Sequence, residues 1–197
     1  MCSKTEKRRI ASAKEYIDAQ FENNSKLLVT RVDLGLKKEF AATVTPQEIN
    51  KAFENLLDNR RSKPSIFKDN VGYIAKLEYT KSKGAHLHTI FLFDGNKVQK
   101  DAYKAKQIGD YWSNNITDGK GLYHNCNLND YGDTHAIGMI EYSDTNKIDL
   151  LKNNVVSYLA KDEQDVKNAK AGNIVAFRRG LMPKKSDVKM GRPRKVK

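Results

Sequence analysis

The chain has 197 residues, 39% of them hydrophobic and 30% charged, with a mean hydropathy of −0.72. That is enough apolar mass for one buried core, and the apolar runs are too short for a membrane span. Cys2 and Cys126 are the only thiols; with no C-x-x-C pair, a disulfide framework and a four-cysteine zinc site are both excluded, and a reducing compartment is expected. The 36 Lys and Arg against 24 Asp and Glu leave a formal charge of +12, which points to a polyanionic partner.

The first predicted element is a helix over residues 4 to 22, with Ser3 and Glu6 placed as a capping box and Ile10, Ala13, Ile17 and Phe21 on one stripe. The basic run Lys4, Lys7, Arg8 and Arg9 interrupts its start, so neither a signal peptide nor a membrane anchor is expected there. Leu27, Leu28, Val29 and Val32 then predict a strand ending near Asp33. A second helix is signalled by Thr45 as cap, Pro46 in the first turn, Glu48 closing the capping box, and the stripe Ile49, Phe53, Leu56 and Leu57, to about Arg60.

Strands near 71 to 79 and 86 to 93, joined by a polar turn ending in Gly84, predict a hairpin. A helix from about Lys100 buries Ile108, Tyr111, Trp112 and Ile116; the stretch from Asp118 to Asp133, rich in Gly, Asn and Asp, predicts a long loop. A last strand over His135 to Tyr142 and a helix from Lys147 to Lys161, with Ile148, Leu151, Val155 and Leu159 inward, complete the order. The fold class is α+β: a β-α-β-β-α-β, ferredoxin-like antiparallel sheet with two helices on one face and the other face free for a site, flanked by an N-terminal helix and a C-terminal helix.

Residues 178 to 197 hold nine Lys or Arg against one Asp. The division is thus a folded domain over residues 1 to 177, core 25 to 165, and a basic, flexible DNA-binding tail over 178 to 197, with Arg178, Arg179, Arg192 and Arg194 as contacts. Within that tail Gly191-Arg192-Pro193-Arg194-Lys195 looks like an AT-hook, whose arginines suit the narrow minor groove; a generic phosphate-binding tail is the alternative.

His86 and His88 stand two apart on a predicted strand, so both imidazoles project from one face. If the hairpin closes symmetrically about Ser82, Glu78 pairs with His86 and joins them. Two imidazoles and a carboxylate suit a catalytic divalent cation, Mg²⁺ or Mn²⁺. The same histidines also fit the solvated half of an alternating strand. Tyr158 and Lys161 lie one turn apart on the last helix, where a tyrosine equally fits the edge of a core. His124 and Cys126, as His-x-Cys, are too few for a metal site of their own and are expected to be structural.

Together, Glu78 to Gly95 with its His-x-His, and Tyr158-Leu159-Ala160-Lys161, resemble the metal motif and the Tyr-x-x-Lys motif of the HUH endonucleases, the rolling-circle replication initiators and relaxases. With Arg31-Val32-Asp33-Leu34 ahead of them, the match over residues 25 to 165 is nearest the inovirus-type replication proteins of prophages. The resemblance implies a metal-dependent nickase acting on single-stranded or hairpin origin DNA in the bacterial cytoplasm. Tyr158 would form a 5′-phosphotyrosyl link, Lys161 would assist, and Arg31 would contact DNA. Asp162 stands where a second tyrosine would, implying a one-tyrosine enzyme. The sequence has no G-x-x-x-x-G-K-[ST] loop, so unwinding would fall to a host helicase. A transposase or mobilisation relaxase with the same chemistry, and a non-catalytic DNA-binding protein on the same fold, are the alternatives.

Overall fold

A computed structural model describes residues 3–134, 136–160 and 174–184. Helix α1, Lys4–Asn23, starts where expected, with the Ser3 hydroxyl accepting from the Glu6 amide. Strand β1, Lys26–Leu36, is longer than its apolar core suggested. The short α2, Lys38–Ala41, leads to α3, Pro46–Asp58, which carries the complete Thr45–Glu48 capping box. The turn α4, Pro64–Phe67, precedes the hairpin of β2, Asn70–Thr80, and β3, Gly84–Asp94.

Helix α5, Asp101–Tyr111, continues into a π-helical turn, Trp112–Ile116. Strands β4, Gly121–Asn125, and β5, Gly138–Glu141, follow. Then come α6, Thr145–Leu150, a second π turn, Leu151–Val155, and α7, Val156–Ala160, before β6, Phe177–Arg179.

The protein is α+β, built on one six-stranded antiparallel sheet in the order β4-β1-β3-β2-β6, with β5 also on β1. Strands β4 and β5 share one edge of β1, β4 along Val32 to Leu36 and β5 along Lys26 to Val29. Two expectations need correction. The stretch from Asp118 to Asp133 contains β4 rather than loop alone: β1 extends past Asp33 and offers an unpaired edge, which Gly121 to Asn125 satisfies despite poor strand propensity. The boundary at 177 falls inside β6, because Phe177, Arg178 and Arg179 pair with Lys76, Ala75 and Ile74. Arg178 and Arg179 therefore belong to the sheet.

Helices cover both faces of the sheet. On one, Ile49, Phe53 and Leu56 of α3 and Ile108 of α5, with Trp112, pack on Leu28, Val32, Leu34, Leu77, Leu87, Phe91 and Phe93. On the other, Ala13, Ile17 and Phe21 of α1 and Leu151, Val155 and Leu159 of the composite last helix pack on Leu27, Val29, Ile74, Ile90 and Leu92. The face expected to be free is thus largely roofed. Sequence explains this: Ile90, Phe91, Leu92 and Phe93 are apolar on both sides of β3, and a strand of that kind needs cover above and below. Only the end of that face nearest the hairpin turn is polar.

Candidate metal centre and its tyrosine

The polar end is laid out by strand register. Glu78 pairs with His86, and Lys76 with His88, across the hairpin; Asp33 pairs with His88 and Arg31 with Ile90 on the other side of β3. Alternation places Arg31, Asp33, Lys76, Glu78, His86 and His88 on one face, the face roofed by α1 and the last helix. The sequence-derived hairpin register is therefore the one observed.

Glu78, His86 and His88 are all buried, and each offers a ligand atom within 4.8 Å of the others. Both Nε2 atoms turn toward the same carboxylate oxygen, Glu78 Oε2, at 3.8 Å from His86 and 3.4 Å from His88. The remaining imidazole nitrogens are occupied. His86 Nδ1 lies 3.0 Å from the Gly84 carbonyl oxygen. His88 Nδ1 lies 2.9 Å from Asp33 Oδ1, an ion-pair distance without hydrogen-bond alignment.

This is how histidines are held for a metal: Nδ1 is tied to a carbonyl or carboxylate, which directs the Nε2 lone pair into the site. The donor set fits a divalent cation with open positions, as one carboxylate oxygen and two imidazoles leave room for a substrate oxygen. Without a metal, the two histidines are shifted in opposite directions. Burial and the charge of His88 hold His86 below its ordinary pKa. Burial opposes charge on His88 too, but the Asp33 and Glu78 carboxylates outweigh it and raise His88 to about 9. Burial likewise works against Asp33 and Glu78, and the imidazoles overcome it, lowering both.

Two residues of this cluster were not assigned to it from sequence. Asp33 orients His88 from β1, and only the β1–β3 register reveals it. Lys76 is fully buried, lies beside His88 across the hairpin, and its charge helps keep Glu78 ionised. Its signal was faint: a lysine in a strand interior two positions before a candidate ligand.

The last helix brings Tyr158 to the same place. Its ring centroid is 6.1 Å from that of His88, edge to face, and the Arg31 guanidinium carbon lies 5.3 Å from the Tyr158 ring centroid. The π turn at Leu151–Val155 immediately precedes this segment; the residue such a turn inserts rotates the following positions about the helix axis. Leu159 and Ala160 beyond it are buried, whereas Tyr158 remains 49% exposed. Arg31 is held in turn by Asp33, with Nε 3.8 Å from Oδ1. Lys161, Arg192 and Arg194 lie outside the described residues.

Residues 4–175 match the family described as the YagK/YfjJ C-terminal domain. The chain belongs to that family. No curated protein and no solved structure matches it. The matched span of this YagK/YfjJ C-terminal domain includes Arg31, Asp33, Glu78, His86, His88 and Tyr158, and it ends before Arg178. No helix among the described residues is long and apolar enough to cross a membrane.

His124 and Cys126 are not among the convergent ligand atoms, although His124 pairs with Asp33 across β1 and β4. His124 is exposed with Nε2 3.0 Å from Asn129 Nδ2. Burial, reinforced by the Asp33 charge, pushes the Cys126 thiol up to about 11, so it is a packing residue and not a nucleophile. Trp112 and Tyr111 are core residues, the indole donating to the Gly35 carbonyl at 2.8 Å. Arg178 lies on the opposite sheet face from the histidines and reaches Glu54 at 3.3 Å, whereas Arg179 is on their face, against Ser12 of α1.

Proposed function

We propose that this domain nicks and rejoins single-stranded or hairpin DNA with a divalent metal, Mg²⁺ or Mn²⁺, through a covalent link to Tyr158, and thereby initiates rolling-circle replication of a phage or plasmid. One observation carries the reading: a half-exposed tyrosine packs edge-on against a histidine whose Nε2 is one of three convergent metal-ligand atoms. Strand order adds support: the antiparallel run β4-β1-β3-β2, continued by β6, is compatible with a ferredoxin-like β-α-β-β-α-β chain.

Glu78, His86 and His88 would hold the metal, which supplies Lewis-acid polarisation of a phosphate. The chain's own residues do the rest. Tyr158 Oη attacks the phosphorus in line; the bond to the 3′ oxygen breaks, the phenol gives up its proton and the 3′ oxygen gains one. Arg31, over the Tyr158 ring, would meet the phosphate charge as it grows. Lys161 would add a second cation. The product is still a phosphodiester, so rejoining needs no ATP, and a host helicase would open the duplex. The substrate strand must be free of the duplex for the attack to reach its backbone.

The test is direct. Incubate the protein with end-labelled single strands and Mn²⁺, denature, and separate on a gel. Label migrating with the protein supports the reading, and a DNA-binding protein without adduct under all metals refutes it.

A further inference from the structure

Helix α1 carries its charge against its own dipole. Lys4, Lys7, Arg8 and Arg9 crowd its first two turns, countered there by Glu6, while Asp18 and Glu22 lie toward its end with no basic residue in the last turn. A helix N-terminus is already partly positive, so this is the unfavourable order. Sequences that break a local preference tend to do so at sites.

Arg8 and Arg9 line a cleft of about 560 Å³ between α1 and β6, and Arg178 and Arg179 line its other wall. None of the described residues lining it is acidic. Arg179 is fixed in place: Nε donates to Ser12 Oγ at 3.0 Å, one terminal nitrogen donates to the Gly180 carbonyl at 2.9 Å, and the guanidinium covers the Tyr16 ring at 5.2 Å. Arg178 is directed to Glu54 and Asn50 on the opposite helix layer. Arg8, Arg9 and Arg179 line the cleft on the side of α1 and the histidine face.

Arg179 pairs with Ile74, on the sheet face that carries Glu78 and the histidines. Strand β6 is two strand spacings from β3, roughly 10 Å.

We propose that the α1–β6 cleft is a second nucleic-acid site, which grips the phosphodiester backbone of the strand whose scissile phosphate lies at the Glu78, His86 and His88 cluster. It rests on the nickase reading for the identity of that strand, and it works without metal.

The test uses the full chain carrying Tyr158→Phe, in EDTA, with fluorescein-labelled oligothymidine and anisotropy across a salt series. Arg8→Ala with Arg9→Ala should weaken binding about tenfold and make the slope of log affinity against log salt shallower by about 1.4, two contacts at about 0.7 each. A charge-matched control, Lys38→Ala with Lys51→Ala on the other side of the sheet, should leave the slope unchanged. Arg8→Gln alone, an exposed side chain, should give about half the slope change and guards against a folding defect in the double variant. Equal losses in cleft and control variants overturn the proposal, as does no loss, or displacement of the DNA by millimolar inorganic phosphate. The chemistry is read separately: wild type without adduct refutes the nickase while the slopes still judge the cleft.

Discussion

Asp33 and His88 face each other across β1 and β3, and their contact fixes which imidazole nitrogen is offered to a metal. Oδ1 lies 2.9 Å from Nδ1, which leaves Nε2 directed at Glu78. Asp33 in turn reaches Arg31, which covers Tyr158. A chain of charged contacts thus runs from metal site to tyrosine across two strands and a helix.

Asp33→Asn is expected to lower Mn²⁺ affinity by about 10- to 100-fold, the usual cost of losing a carboxylate behind a ligating histidine. Isothermal titration would measure it. Unchanged affinity would show that Asp33 does not orient His88.

His88→Ala removes one of three ligands and should abolish stoichiometric Mn²⁺ binding in the same titration, with excess metal restoring little adduct. Retained one-to-one binding would place the metal elsewhere.

The metal-free protein should have a stability plateau bounded on both sides. His88 rises to about 9 on folding, so its contribution is complete below the unfolded value of about 6.5 and is lost as pH climbs through 9. Asp33 and Glu78 are lowered, so theirs is present above the ordinary carboxylate range and lost as pH falls through their folded values. Melting temperatures in EDTA should therefore drop between pH 6.5 and 9, and His88→Ala should remove that alkaline drop. A flat profile would mean the ion pair contributes nothing to folding.

Gly84→Ala is expected to destabilise the protein by about 2 kcal/mol or more, read by urea unfolding. Gly84 has φ +65°, and an added Cβ would sit 2.3 Å from the Ala41 carbonyl oxygen. The same residue's carbonyl faces His86 Nδ1, so metal affinity should fall with stability. Wild-type stability would show that the turn relaxes freely.

What could be read in advance followed the range of the interactions. The hairpin's alignment was legible because a short turn sets register locally, and Glu78 met His86 as symmetry about Ser82 required. Asp33's role was hidden because the β1–β3 register is a long-range choice made by core packing. Strand β4, with Gly121 and Asn125 at its ends, has little intrinsic strand character and forms because β1 needs a partner. Arg178 and Arg179 looked like tail because the stretch from 178 to 197 is basic as a whole, yet Ala75 and Ile74 supply backbone partners, and Glu54 and Ser12 supply side-chain partners. Lys76 was overlooked because buried lysines are rare and nothing local marks one.

The central claim is that Tyr158 becomes covalently attached to DNA, and peptide mapping tests it most directly. The wild-type protein, incubated with single-stranded substrate and Mn²⁺, is digested with nuclease and trypsin and analysed by mass spectrometry. The account predicts a nucleotide mass on the peptide containing Tyr158, absent from Tyr158→Phe although that variant still binds DNA and metal. An adduct on another residue, or one that persists in Tyr158→Phe, would contradict it.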